Sequence, residues 1–151
     1  MTPDQLAALH KAAFSVDRSW QAAEFADLLS APHVTLYQQE TGFALARLVA
    51  GEAELLTLVV DPTHQNAGHG RALMDQWLKD IAGQAETAFV EVASDNAAAL
   101  HLYQSMGFEI IATRSAYYLR KDAAAADALI LRRDLTLGQG YDSTVPNTES
   151  G

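Results

Sequence analysis

Cysteine is absent from the chain, which excludes disulfides, thiolate metal sites and a cysteine nucleophile. Basic residues are scarce: 10 Lys and Arg stand against 19 Asp and Glu, a net charge of −9. That balance argues against nucleic-acid binding and would help to draw in a cationic partner such as a protein amine. No uninterrupted apolar run reaches membrane length. Met1 to His10 lacks the basic region and apolar core of a secretion signal. A cytoplasmic protein that keeps off membranes is therefore expected. No internal repeat is visible. His10, His33, His64, His69 and His101 show no metal-ligand spacing on a common element, so no metal is expected. Ser15, Ser94, Ser105 and Ser115 lie in no nucleophile-elbow context.

What the chain does have is 151 residues, 49% of them hydrophobic and 19% charged, enough for one soluble domain with a real core. Its oligomeric state is expected to be a monomer or a weak dimer.

Taken in order, Thr2-Pro3-Asp4-Gln5 starts a helix, with a Thr cap, Pro at the first position and Gln three residues on. Leu6, Leu9, Ala13 and Phe14 face inward. A second helix is expected from near Ser19 to before Pro32, carrying Trp20, Phe25, Leu28 and Leu29. Strands follow at His33 to Gln38, Phe43 to Val49 and Ala53 to Val60, with turns at Glu40-Thr41-Gly42 and Gly51-Glu52. Leu73, Met74, Trp77, Leu78 and Ile81 recur at helical spacing, closed by Gly83. Thr87 to Ala93 is a short strand, and strand, helix, strand implies a parallel right-handed crossover. Asn96 caps a helix over Ala97 to Ser105. Two last strands, Ile110 to Leu119 and Ala128 to Leu135, are joined by Lys121 to Asp127. Gly138 to Gly151 is polar and aperiodic, which predicts a disordered tail after a domain spanning 1–137.

The stretch Leu58-Val-Val-Asp-Pro-Thr-His-Gln-Asn-Ala-Gly-His-Gly-Arg71 is strand, glycine loop, helix. Proline ends the strand, and Gly68 and Gly70 permit a tight turn and close ligand approach. The first helical N–H groups lack partners and sit at the positive end of the helix dipole, an anion site suited to a pyrophosphate. A nucleoside-triphosphate loop needs Lys-Ser/Thr where Arg71-Ala72 stand, and a dinucleotide fingerprint needs glycine where Leu73 stands.

Gln65-x-x-Gly68-x-Gly70 resembles the Arg/Gln-x-x-Gly-x-Gly/Ala loop of the GNAT family of N-acetyltransferases. Leu102-Tyr103-Gln104-Ser105-Met106-Gly107-Phe108 resembles that family's Leu-Tyr-x-x-x-Gly-Phe signature. The resemblance covers roughly residues 40 to 134 and is nearest to RimI-type enzymes, which acetylate the N-terminal α-amine of a ribosomal protein. Val90-Glu91-Val92, the Ser94 to Ala99 run and Arg114-Ser-Ala-Tyr117-Tyr118 carry that finer likeness. Asn66, where arginine is frequent, and His69, where an apolar residue is more usual, depart from the pattern. So does the segment after Tyr118, which lacks the usual proline.

The implied fold is a single-domain α/β GNAT fold. It has a mixed, mostly antiparallel sheet of six to seven strands, helices on both faces, and a splay between two central parallel strands. The implied ligand is acetyl-CoA, with no metal. Leu58, Val59 and Val60 would hold pantetheine through their backbone, joined by Asn96. Gln65, Asn66, Ala67, Gly68, His69, Gly70 and Arg71 would hold the pyrophosphate. A backbone N–H near Val59 or Val60 is a candidate oxyanion donor. Glu91, a carboxylate between valines in a short strand, would be the general base. Tyr103 would contact cofactor and protonate the departing thiolate. Arg114, Tyr117 and Tyr118 would lie near the acceptor peptide. A free α-amine, with a pKa near 8 against about 10.4 for lysine, asks about 3 kcal/mol less of a base. An acetyltransferase for small amines and a non-catalytic acyl-CoA sensor are the alternatives.

Overall fold

The computed structural model describes residues 1–14, 20–65, 67–118 and 125–136. Ser15 to Ser19, Asn66, residues 119–124 and the stretch from 137 lie outside them. The expectations for Ser15, for Asn66, for most of the Lys121 to Asp127 connector and for the tail fall there.

Helix α1 (Pro3–Ala13) begins as its sequence dictates. The Thr2 side chain accepts from Gln5 N–H, and the Gln5 side chain accepts from Thr2 N–H at 2.8 Å. Helix α2 (Ala22–Ser30) starts later than Ser19. Glu24 reaches back to the Gln21 N–H at 2.9 Å, and this cap outweighs the apolar signal of Trp20. Trp20 thus precedes the helix, stacked on His10 at 5.2 Å.

Strands β1 (Val34–Gln39), β2 (Gly42–Val49) and β3 (Glu52–Val60) form an antiparallel meander. After α3 (His69–Ile81) comes β4 (Thr87–Ala93), then α4 (Ala97–Ser105). The last two strands are β5 (Glu109–Tyr118) and β6 (Ala126–Asp134). Strand β6 begins at Ala126, ahead of the expected Ala128, and takes in Asp127. The sheet order is β1-β2-β3-β4-β6-β5, six strands within the expected six to seven.

Each face of the sheet has its own core. On one side Leu6 and Phe25 pack on Phe43, Leu45 and Val59. On the other, Leu73, Met74, Trp77, Leu78, Tyr103 and Met106 pack on Ala53, Leu55, Val90 and Val92. Burying a side chain the size of Phe25 or Trp77 contributes about 1.5–3 kcal/mol. Tyr37 ties the second layer on, its hydroxyl donating to the Asp80 carboxylate at 2.6 Å. No helix among the described residues is long and apolar enough to cross a membrane.

Two irregularities shape the sheet centre. Strands β3 and β4 pair in parallel only at Glu52, Ala53 and Glu54 against Thr87, Ala88 and Phe89. Beyond Glu54 and Phe89 they part, which is the expected splay. The second is a bulge: Leu45 pairs Thr57 while Ala46 pairs Leu55, so Leu56 has no partner. The extra residue reverses the alternation. Ala53 and Leu55 join the α3/α4 core, and beyond the bulge Leu58 and Val60 do so as well, while Leu56 and Val59 face α1 and α2.

Candidate active site

The loop expected to hold the pyrophosphate begins where β3 ends. Asp61 N–H donates to the Thr41 carbonyl at 2.8 Å, and Pro62–His64 forms a single 3-10 turn. Asp61 closes that turn by accepting from the Thr63 N–H and hydroxyl, contacts that hold its carboxyl below the usual range. Gln65 turns back to the Val60 carbonyl at 3.1 Å. Gly68 takes the left-handed conformation, φ +85, and a Cβ there would meet nothing within 4 Å. No side chain caps α3, and the first main-chain bond of its opening turn runs from Ala72 N–H to the Gly68 carbonyl. The N–H groups of His69, Gly70 and Arg71 therefore precede the helix's own ladder. Gly70 is already helical rather than part of the turn. Its role is space: a Cβ would come within 3.3 Å of Leu102 and 3.8 Å of Leu58.

His69 is half-buried, its Nδ1 2.8 Å from the Thr41 hydroxyl. Exposed His64 meets it edge to face at 5.7 Å. Arg71 donates to Ser105 Oγ at 2.5 Å, and Ser105 donates onward to the Leu102 carbonyl at 2.7 Å. Thr41 and Ser105 were invisible to sequence reasoning, because their partners lie 28 and 34 residues away.

Asn96 caps α4, accepting from Ala99 N–H at 3.2 Å and leaving its Nδ2 available. Tyr103 on that helix is buried against Phe108 and the α3 side of the sheet. Burial alone pushes its phenol well above the usual range, so it stays protonated and keeps a donor. Leu58 and Val60 flank Gly70 on this same side.

Glu91 lies on the other face, since Val90 and Val92 take the α3/α4 side. Its side chain is one-third exposed. Tyr118 donates its hydroxyl to Glu91 Oε2 at 2.8 Å. The Arg114 guanidinium lies 3.8 Å from Oε1 and 5.3 Å from the centre of the Tyr117 ring. The four residues named from sequence on the acceptor side therefore gather in one place. Their support is a distortion the sequence did not announce. In β5, Arg114 pairs Ala128 but Tyr118 pairs Ala126. The surplus residues loop out at Ala116, φ +51, whose N–H donates to the Asp127 carboxylate at 2.8 Å.

Among the described residues no group of three or more His, Asp or Glu could hold a metal. The arrangement as a whole offers amides for an anion and an unpaired strand edge for an extended arm. A carboxylate and a protonated phenol stand on opposite sides of the parted strands.

Residues 30–110 match the family model for the acetyltransferase (GNAT) domain. The chain is 35% identical over 130 residues to the N-alpha-acetyltransferase RimI of Mycobacterium tuberculosis, covering 80% of this chain and 79% of that protein. It is 35% identical over 96 residues to the ribosomal protein bS18-alanine N-acetyltransferase of Escherichia coli, covering 63% of this chain. It spans 64% of that protein's length and 38% of a longer Mycobacterium leprae relative. The crystal structure of the Escherichia coli ribosomal-protein-S18-alanine N-acetyltransferase superposes with a TM-score of 0.77 at 27% identity, covering 93% of this chain and 90% of that one.

Proposed function

The chain belongs to the GNAT family of acetyltransferases, and on that footing we propose that it moves the acetyl group of acetyl-CoA to a primary amine. The acceptor we infer is the N-terminal α-amine of a protein, of the ribosomal-protein kind named for its relatives. A cytoplasmic setting, where acetyl-CoA and new N-termini meet, goes with this reading. One observation carries it. The uncapped start of α3 and the parting of β3 from β4 both lie beyond Glu54, toward the end of β3, with Glu91 on one face of the sheet and Tyr103 in the core of the other.

Acetyl-CoA supplies the acetyl group already activated as a thioester. The N–H groups of His69, Gly70 and Arg71, with Gln65, Ala67 and Gly68 beside them, would take its pyrophosphate. The β3 edge turned away from β2 at Leu58, Val59 and Val60, where Gln65 now holds the Val60 carbonyl, and the Asn96 amide would take the pantetheine arm, and an N–H of that edge would face the developing oxyanion. Glu91 would accept the proton of the attacking amine, directly or through water. The amine attacks without a covalent enzyme intermediate, so the missing cysteine and serine nucleophiles are no obstacle.

Burial keeps the Tyr103 phenol protonated. It would raise the pKa of a thiolate leaving in the same dry site as well, so Tyr103 would serve as hydrogen-bond and proton donor to the departing sulfur.

Thiol release from acetyl-CoA tests the reading, with peptides bearing free N-termini, N-blocked lysine peptides and small amines as acceptors. Release with free N-termini at rates well above the other two classes is expected. Preference for small amines would move the acceptor assignment. Tight CoA binding with no release from any acceptor would leave a sensor rather than an enzyme.

A further inference from the structure

We propose that in the free protein Arg114 occupies the acceptor's amine subsite, so that the incoming ammonium must displace it. This rests on the acetyl-transfer reading above.

Sheet register brings Arg114 there. Glu91, Ile130 and Ala112 form one row across β4, β6 and β5, and Ala93, Ala128 and Arg114 form the next on the same face. Arg114 thus lies diagonally across β6 from Glu91. The residue between, Ala128, is buried and too small to block the way. The guanidinium reaches back over it to Glu91 Oε1.

What it meets there is the surrounding that an alkylammonium ion favours: a carboxylate edge and the open face of an aromatic ring. Tyr118 holds the other carboxylate oxygen, which leaves Oε1 to a cation. Arg114 makes loose use of the place. Its 3.8 Å approach is well beyond the roughly 2.7–2.9 Å of a charge-assisted hydrogen bond. Its side chain is 59% exposed, and exposed pairs of this kind contribute little. A compact ammonium on a peptide can come closer to the same oxygen. Exchanging one cation for another also leaves the charge beside Glu91 balanced, so the swap needs no second change. A neutral or blocked N-terminus has nothing to exchange.

The test compares the wild-type chain, Arg114→Gln and Arg114→Lys, each loaded with CoA. A peptide with a free N-terminal alanine is titrated calorimetrically. Arg114→Gln should bind it about two- to fivefold tighter, in keeping with an exposed pair, the peptide KM should fall in step, and Arg114→Lys should stay near wild type. Methylguanidinium should compete with the peptide at lower concentration on Arg114→Gln than on wild type. Weaker peptide binding by Arg114→Gln would show that Arg114 grips the acceptor and would overturn the proposal. A lower kcat at unchanged KM would overturn it too, making Arg114 a positioning residue for Glu91. Wild-type protein that binds the peptide yet releases no thiol would sink acetyl transfer alone, since the binding comparison still reads the competition.

Discussion

Glu91 shares its two oxygens between Tyr118 and Arg114, and Tyr103 keeps a buried phenol with burial as the sole cause of its raised pKa. Each makes a prediction. If Glu91 is the base, Glu91→Gln should slow transfer to an α-amine roughly a hundredfold at pH 6.5–7. The loss should shrink toward pH 9, where an amine of pKa near 8 is already neutral. A flat ratio across pH, measured as kcat/KM, would remove Glu91 from proton transfer. Tyr103 bears on alkaline stability. Above pH 10 the unfolded chain loses that phenolic proton while the folded chain holds it. The folded state then binds more protons, and stability is lost as pH rises, by about 1.4 kcal/mol per unit for one such group. Tyr103→Phe should therefore flatten the decline in urea-unfolding free energy between pH 10 and 11.5, while shifting it little at pH 7. Glu91 stands out in the sequence as a carboxylate between valines, whereas Tyr103 fits its helical face and is marked only by the resemblance of residues 102–108 to a family signature. Thr41, Ser105 and Asp127 were not legible, since each acts on a partner 11 to 34 residues distant.

At the scale of elements, caps and periodicity were readable and departures from ideal pairing were not. The strand-loop-helix around Gly68, the Asn96 cap and the β3-to-β4 crossover all stand where local chemistry placed them. The start of α2 was misplaced because Trp20 looks helical by polarity, whereas the reciprocal reach of Glu24 to Gln21 sets the boundary. Bulges at Leu56 and Ala116 leave no mark in composition, yet they aim both halves of the candidate site. Two glycines separate strain from space. Gly42 opens β2 with its Cα against β3, and a Cβ would lie 2.4 Å from the Val59 carbonyl oxygen. Backbone cannot yield cheaply, so Gly42→Ala should destabilise by about 1–3 kcal/mol. Because it displaces Val59 and Val60, it should also weaken CoA binding. Gly68→Ala meets open space and pays only for its left-handed φ, about 1–2 kcal/mol. Chemical denaturation and CoA titration on both variants check this. Equal stability losses with untouched CoA affinity would detach the β2–β3 contact from the cofactor site.

The whole molecule sets a field that the two proposed ligands would feel oppositely. A chain of net charge −9 attracts a cationic N-terminus and repels a polyanionic cofactor. Both long-range effects fade as the Debye length shortens to about 8 Å at physiological ionic strength. Binding of the cofactor must then rest on short-range contacts. Two sources are at hand, the fixed amides that open α3 and the exposed Arg71 side chain, already engaged with Ser105. They respond differently to salt. Amides held in place by the helix are dipoles at contact and are barely screened, whereas an exposed guanidinium loses its pull within a Debye length. If the amides dominate, raising salt from 20 to 200 mM should leave the acetyl-CoA KM within about twofold, because weaker repulsion offsets what little attraction is lost. The KM of a basic peptide should rise severalfold over the same range. A steep loss of acetyl-CoA affinity with salt would instead give the phosphates to side-chain cations. Arg71→Gln would then reproduce that loss at low salt, and the uncapped helix end would cease to explain cofactor binding.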